Sequence, residues 1–246
     1  MAEYDRQTLG ARAGSALAID EGLRSYMLRV YNYMGIGLIV TGLVAWFSAS
    51  NAITADGTAL TAWGNVLFNS PLQWVVMLAP LGFVLVLSFG INKLSVPAAQ
   101  AAFWAFAAVM GLSLSSIFLV YTGASIAKVF FITAATFGAM SLYGYTTKRD
   151  LTGMGNFLMM GLIGLIIASI VNIFMQSSMM EFIISAVGVL IFVGLTAYDT
   201  QKIKESYSAS FGADVLAKGA IMGALNLYLD FINLFLMLLR LFGNRE

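Results

Sequence analysis

The sequence predicts an all-α, polytopic membrane protein built as a seven-helix bundle. Three observations predict it. Of 246 residues, 60% are hydrophobic and only 10% are charged, where a soluble domain has about 25% charged residues. Seven stretches are apolar for long enough to cross a bilayer, which takes roughly 20 residues of helix. Most of the breaks between them are short and polar or contain glycine, so little of the chain is left outside the membrane.

Taken in order, the first 24 residues carry mixed charge and no apolar run, and they read as a cytoplasmic N-terminal tail. They lack the order of basic residues followed by a short apolar core that marks a cleaved signal peptide. A single membrane domain follows, residues 25–246. Its first helix is expected to start near Leu28 and is too long for a signal core. The spans are predicted at about 28–49, 72–91, 98–121, 128–146, 156–176, 181–199 and 219–240.

Pro71 and Pro97 fall at predicted helix starts, where proline costs little. Pro80 lies inside the second span, followed by Gly82, and predicts a kink. Ser113, Ser115, Ser116, Thr133, Thr136 and Ser141 are expected to bond to their own helix or a neighbour. Gly35 with Gly37, and Gly161 with Gly164, miss the four-residue spacing of a helix-contact motif, whereas Gly219 and Gly223 have it. Two breaks are longer. Residues 50–70 hold one acid, no base and two aromatics suited to an interface, Trp63 and Phe68. Residues 200–218 are polar, basic at their start and helix-compatible in part.

Basic residues set the orientation. With the N-terminus cytoplasmic and seven crossings, 10 of the 13 lysines and arginines fall on the cytoplasmic side: Arg6, Arg12, Arg24, Arg29, Lys93, Lys148, Arg149, Lys202, Lys204 and Lys218. Lys128, Arg240 and Arg245 fall opposite. The seventh span, Gly219 to Leu239, is about 31 Å of helix and long enough to cross. Its polar groups place it inside the bundle, wrapped by the other six.

Cysteine and histidine are both absent. That removes disulfides, thiolate chemistry, and the commonest neutral-pH base and nitrogen ligand. No cofactor is expected, the chain does not read as an enzyme, and no basic cluster is dense enough to bind nucleic acid.

Two acids stand out. Asp199 closes the sixth apolar run, at the cytoplasmic boundary. Asp230 sits in the middle of the seventh, at least ten residues from either end, where a carboxylate in hydrocarbon is costly unless a partner, proton, cation or water offsets it. Asn226, Asp230, Asn233 and Met237 are spaced four, three and four apart and form one polar stripe that should face protein or a cavity. Tyr228 points elsewhere, towards a neighbouring helix. If the loop folds back, and the sixth helix sits deeper or bends, Asp199 and Asp230 can meet. Two carboxylates together in low dielectric cannot both ionise cheaply; they would share a proton and respond to pH. Deprotonated, they offer the hard oxygen ligands that Ca²⁺ prefers, as a weak site, with Asn226 and Asn233 lining or supporting the path.

The stretches GLTAYDTQKIK (194–204) and GALNLYLDFINLFLMLLRLFG (223–243) closely resemble the Bax inhibitor-1 family, its bacterial members above all. The resemblance runs from about Arg24 to the C-terminus. It implies a seven-helix bundle with the last helix at the centre. It also implies a pH-dependent calcium leak whose sensor is a hydrogen-bonded aspartate pair, matched here by Asp199 of the Asp-Thr-Gln stretch and Asp230 of the Leu-Asp-Phe stretch. In some bacterial relatives an arginine on the second helix latches that pair. Here no basic residue occurs between Arg29 and Lys93, so the latch is missing or replaced by a polar group such as Gln73 or Ser88. Some relatives associate instead with a membrane-bound quality-control protease.

Three functions therefore stand as expectations. The first is a pH-sensitive calcium or cation leak. The second is a non-conducting regulator that binds such a protease through its tail and the 200–218 loop. The third is a proton-coupled secondary transporter, which the lack of an inverted repeat disfavours. The expected partners are membrane lipid, Ca²⁺ and protons; the expected setting is the cell inner membrane, as a monomer.

Overall fold

The computed structural model describes the backbone of residues 2–54 and 59–244, with side chains from Glu21 onward. Helices follow one another along the chain: α1 (Ala2–Ser50), α2 (Ala62–Phe68), α3 (Leu72–Gly90), α4 (Val96–Leu114), α5 (Ile117–Val120), α6 (Gly123–Thr146), α7 (Thr152–Met175), α8 (Ser178–Glu205) and α9 (Ala213–Phe242). Seven segments are long and apolar enough to span a membrane: Glu21–Ser50 of α1, α3, α4 with α5, α6, α7, α8 and α9. The chain is an all-α polytopic membrane protein. Most of the expected tail lies outside the described side chains. Glu21–Arg24 are already helical, so the first transmembrane helix starts earlier than the expected Leu28. Hydropathy does not register a helix that continues past its apolar part.

The ends of the helices follow their capping chemistry. Ser95, Thr122 and Ser177 precede α4, α6 and α8, and each side chain accepts a backbone N–H three residues on, which is otherwise without a partner. Pro97 lies in the first turn of α4 and Pro71 caps α3, as expected. The helix of α3 runs on through Pro80. The 50–70 break holds the short α2 and an isolated antiparallel bridge between Ile53 and Leu60. The 200–218 break is shorter than expected, because α8 continues to Glu205 and only Ser206–Gly212 separates it from α9. Residues 200–205 are polar yet helix-competent, and they extend α8 beyond its apolar run.

The last helix is the core. α9 packs against α8, α1, α6 and α4, while α3 lies mainly on α4 and α7 on α8. Tyr228 of α9 is fully buried, with its ring edge-on to Phe103 and Phe106 of α4. Its hydroxyl lies 2.6 Å from Thr41 Oγ1. The Thr41 hydroxyl donates to the Ala107 carbonyl at 2.8 Å, so Tyr228 is the donor to Thr41. One phenol thus ties α1, α4 and α9 together.

Close backbone contact occurs largely where the four-residue glycine spacing does not point. A Cβ at Gly144 would overlap the Ala197 carbonyl oxygen of α8, and one at Gly111 would lie 2.6 Å from the Thr41 carbonyl oxygen of α1. The spaced pair also makes contact: side chains there would press on Tyr26 from Gly219 and on Ile203 from Gly223. Gly35 and Gly164 face open space. Ser115, Thr133 and Thr136 donate to carbonyls of their own helices, as expected. Ser141 differs, and bonds across helices.

Candidate functional site

Asp230 lies seventeen residues from Ala213 and twelve from Phe242, about 18 Å of helix from the nearer end. It is 5% exposed. Asp199 reaches towards it from α8, half-buried, and the two carboxyl groups lie close enough to act on each other. Asp199 does not close its helix as expected; α8 runs six residues further, to Glu205.

Ionised carboxylates only accept hydrogen bonds. A bond between two carboxyl groups therefore needs a proton on one of them. The Oδ2 atom of Asp230 is buried and has no hydrogen-bond partner, which is costly for an ionised oxygen in a dry core. Lys202, one turn beyond Asp199 on α8, lies near enough to act on it electrostatically. Its Nζ sits 5.7 Å from the centre of the Tyr198 ring.

The residues after Asp199 fix that turn in place. Thr200 donates to the Thr196 carbonyl at 2.7 Å, so it accepts from Ser141 at 3.0 Å, and Ser141 in turn accepts from the Tyr31 hydroxyl at 2.6 Å. This chain links α1, α6 and α8. Gln201 holds the α6–α7 connection from both sides: its amide donates to the Arg149 carbonyl, and its oxygen accepts the Leu151 N–H, both at 2.8 Å. Lys204 Nζ donates to the Tyr145 carbonyl at 2.8 Å. The Asp-Thr-Gln triplet thus combines one acid with two residues that set its position. Thr200, Gln201, Tyr31 and the cross-helix role of Ser141 were not singled out from sequence. Their signal was the adjacency of Thr200 and Gln201 to Asp199.

The remaining stripe is partly structural. Asn226 and Asn233 are half-buried and Met237 is buried. The Asn233 amide donates to the Leu229 carbonyl of its own helix at 2.8 Å. Gln73 and Ser88 are exposed on α3, which packs mainly on α4. Neither stands in for an arginine latch, because α3 presents both to the outside. Among the described residues no group of three or more acids could hold a metal ion. Two carboxylates supply at most four oxygens, fewer than the six to eight that Ca²⁺ usually takes.

Known proteins resemble this chain along most of its length. The family model described as "Inhibitor of apoptosis-promoting Bax1" matches residues 23–246. An uncharacterized protein of Rickettsia prowazekii is 49% identical over 92% of both chains. The inner membrane protein YbhL of Escherichia coli strain K12 is 48% identical over 96% of this chain and 98% of its own. An uncharacterized protein of Caulobacter vibrioides is 47% identical over 94% of this chain and 93% of its own.

Proposed function

The chain belongs to the Bax inhibitor-1 family, and on that premise we propose that it is a pH-sensitive cation leak of the inner membrane, with Ca²⁺ as the principal ion and the Asp199–Asp230 pair as its sensor. The observation that carries the reading is the close approach of a mid-helix acid on the buried α9 and an acid on α8. With one proton shared, the two helices are joined at that point. When the proton leaves, two like charges face each other where solvent screens them poorly, and the repulsion favours a state with the acids apart. The freed carboxylates then offer hard oxygen ligands to a cation in transit. Two acids bind weakly, and conduction requires weak binding. The name of YbhL supports the inner-membrane setting, and the bias of lysine and arginine supports a cytoplasmic N-terminus.

Purified protein in liposomes tests the reading, with Ca²⁺ and K⁺ flux followed as pH is scanned through the neutral range. The parent should pass Ca²⁺ in preference to K⁺, with a rate that changes across the scan. The D199N/D230N variant should lose that pH response. Equal pH response in parent and variant would remove the pair from its assigned role. No flux from folded parent protein would overturn the leak and favour a non-conducting role beside a membrane protease.

A further inference from the structure

Between α1 and α6 the bundle is not closed. Both helices pack on α9, yet they scarcely touch each other. The Tyr31–Ser141 hydrogen bond, at 2.6 Å, is the polar link across this seam. A ring contact, Tyr26 on Tyr207 at 5.5 Å, joins α1 to the α8–α9 turn. On the far side of the seam α6 and α8 are locked to each other. Gly144 lies so close to the Ala197 carbonyl that a Cβ would overlap it. Ser141 donates to Thr200, Lys204 Nζ donates to the Tyr145 carbonyl, and Gln201 holds the connection that follows α6. Asp199 sits inside that locked stretch, so it is carried with α6 and α8 as one unit. Asp230 is held from the other direction: Tyr228, two residues before it, donates to Thr41 of α1. Both acids are thus referred to α1. Asp230 is tied through Thr41, and Asp199 through Tyr31, ten residues or about 15 Å of helix away.

The two ties differ in what happens when they break. Thr41 and Tyr228 are buried, and parting them would leave a phenol donor without a partner. Tyr31 is half-buried, and with Ser141 it lines a cavity of about 810 Å³ whose other polar walls include Glu21, Arg24 and Tyr145. That space is roomy and polar enough for water, so the Tyr31 and Ser141 hydroxyls, once apart, exchange one partner for another. The Thr41 bond is the fixed tie, and the Tyr31 bond is the one that can release. Hydrocarbon adds to this difference, because lipid tails replace apolar helix contacts at little cost and leave polar ties to hold helices together. We propose, on the reading of the acids as a sensor, that Tyr31 is a positioning residue for the pair: its hydroxyl keys the α6–α8 unit to α1, and its release from Ser141 lets Asp199 draw away from Asp230. Among the described residues, the charge that acts on the pair from outside it is Lys202, on Asp199. α3, α4 and α7 carry no charged residue, α6 and α9 hold theirs near their ends, and every charge on α1 comes before Tyr31. Tyr31 and Ser141 are themselves neutral near pH 7, so their bond answers to the pair and not to pH directly.

The chain has no cysteine, which opens a direct test. Spin labels attached through L28C and L142C, at exposed positions beside the cavity on α1 and α6, report the width of the seam in full-length protein in liposomes. Ca²⁺ flux is followed on unlabelled protein. In the parent the labels should move apart as pH rises, and in D199N/D230N they should not. Y31F should widen the seam at a lower pH than the parent. It should also raise flux about threefold where the parent is mostly closed, the size expected of one hydrogen bond between membrane helices. S141A, which removes the acceptor, should act in the same direction. Y33F is the control: the Tyr33 hydroxyl accepts from Gln100 of α4, on the same side of the seam, so its loss should leave both readouts as in the parent. Equal behaviour of Y31F and Y33F, in a parent that still responds to pH, would overturn the role of Tyr31 and leave the sensor standing. A parent whose seam never changes with pH would overturn both. Should the parent widen without passing Ca²⁺, the leak alone falls, and earlier widening in Y31F would still support the role of Tyr31.

Discussion

The helices α7 and α9 are both apolar enough to span a membrane, yet they occupy opposite places. In the most apolar stretch of α7 only 6% of residues are buried; in that of α9 it is 72%. The outer helix is the more hydrophobic of the two. In water this order would be inverted, with the greasiest element at the centre. Lipid makes apolar side chains equally comfortable outside, so hydrophobicity alone no longer sorts helices, and close packing and polar pairing do. α9 carries Asn226, Tyr228, Asp230 and Asn233. α7 shows the membrane Ile173 and Phe174, which are 69% and 84% exposed.

The largest test of this contrast is packing. Leu234 of α9 is fully buried, and L234A should cost about 2–5 kcal/mol through the cavity it leaves. F174A on α7 should change stability by less than about 0.5 kcal/mol. Reversible unfolding in mixed micelles would compare them, and equal losses would break the division into inner and outer helices. A smaller effect is expected for Y228F. It removes the hydroxyl that donates to Thr41 but keeps the ring against Phe103 and Phe106, so about 1 kcal/mol should be lost. T41V also removes the bond to the Ala107 carbonyl, so a T41V/Y228F loss smaller than the sum of the two single losses would sharpen the assignment to the shared hydrogen bond.

The smallest effect lies at the end of α7. Asp150 precedes that helix, and its Oδ1 accepts the Thr152 N–H at 2.8 Å. Hydrogen bonding from the Thr152 side chain, then from its backbone, holds the Asp150 carboxyl below the ordinary carboxylate range. Its support for the helix start is therefore full above that range and is lost as pH falls through the lowered value. Amide exchange in the first turn of α7 should quicken on acidification in the parent, with exchange chemistry corrected for, and should stay flat in D150N. The same acid dependence in both proteins would assign the effect elsewhere.

Much of this architecture is legible in the sequence because apolar runs and their breaks are strong signals. The seven spans follow from them, the starts of α3 and α4 from their prolines, and the placing of α9 within the bundle from its polar groups. The same method shortens α8, because Thr200 to Glu205 are polar without ceasing to be helical, and a hydropathy reading ends a helix where its greasy part ends. Spacing rules also miss Gly144 and Gly111, where the partner is the backbone of another helix. Asp230 could be singled out because a mid-span acid needs a partner. Its approach to Asp199 depends on how α8 and α9 lie against each other, which the residues alone left open. The Tyr31–Ser141–Thr200 chain was harder still: a serine bonded to its own helix and one bonded across helices look alike in sequence.

The position of α9 also bears on how the protein is made. It follows in the chain all six of the spans it sits among, so the ribosome delivers the centre of the bundle after its wall. The Thr41 and Tyr228 hydroxyls are 187 residues apart, and contacts that distant in sequence form late. Until α9 enters, Asp199 lacks its carboxyl partner and the wall helices enclose a place without a core. Insertion of that one helix supplies the packing, the phenol clasp and the paired acid in a single event. Biosynthesis thus ends with the step that makes the site.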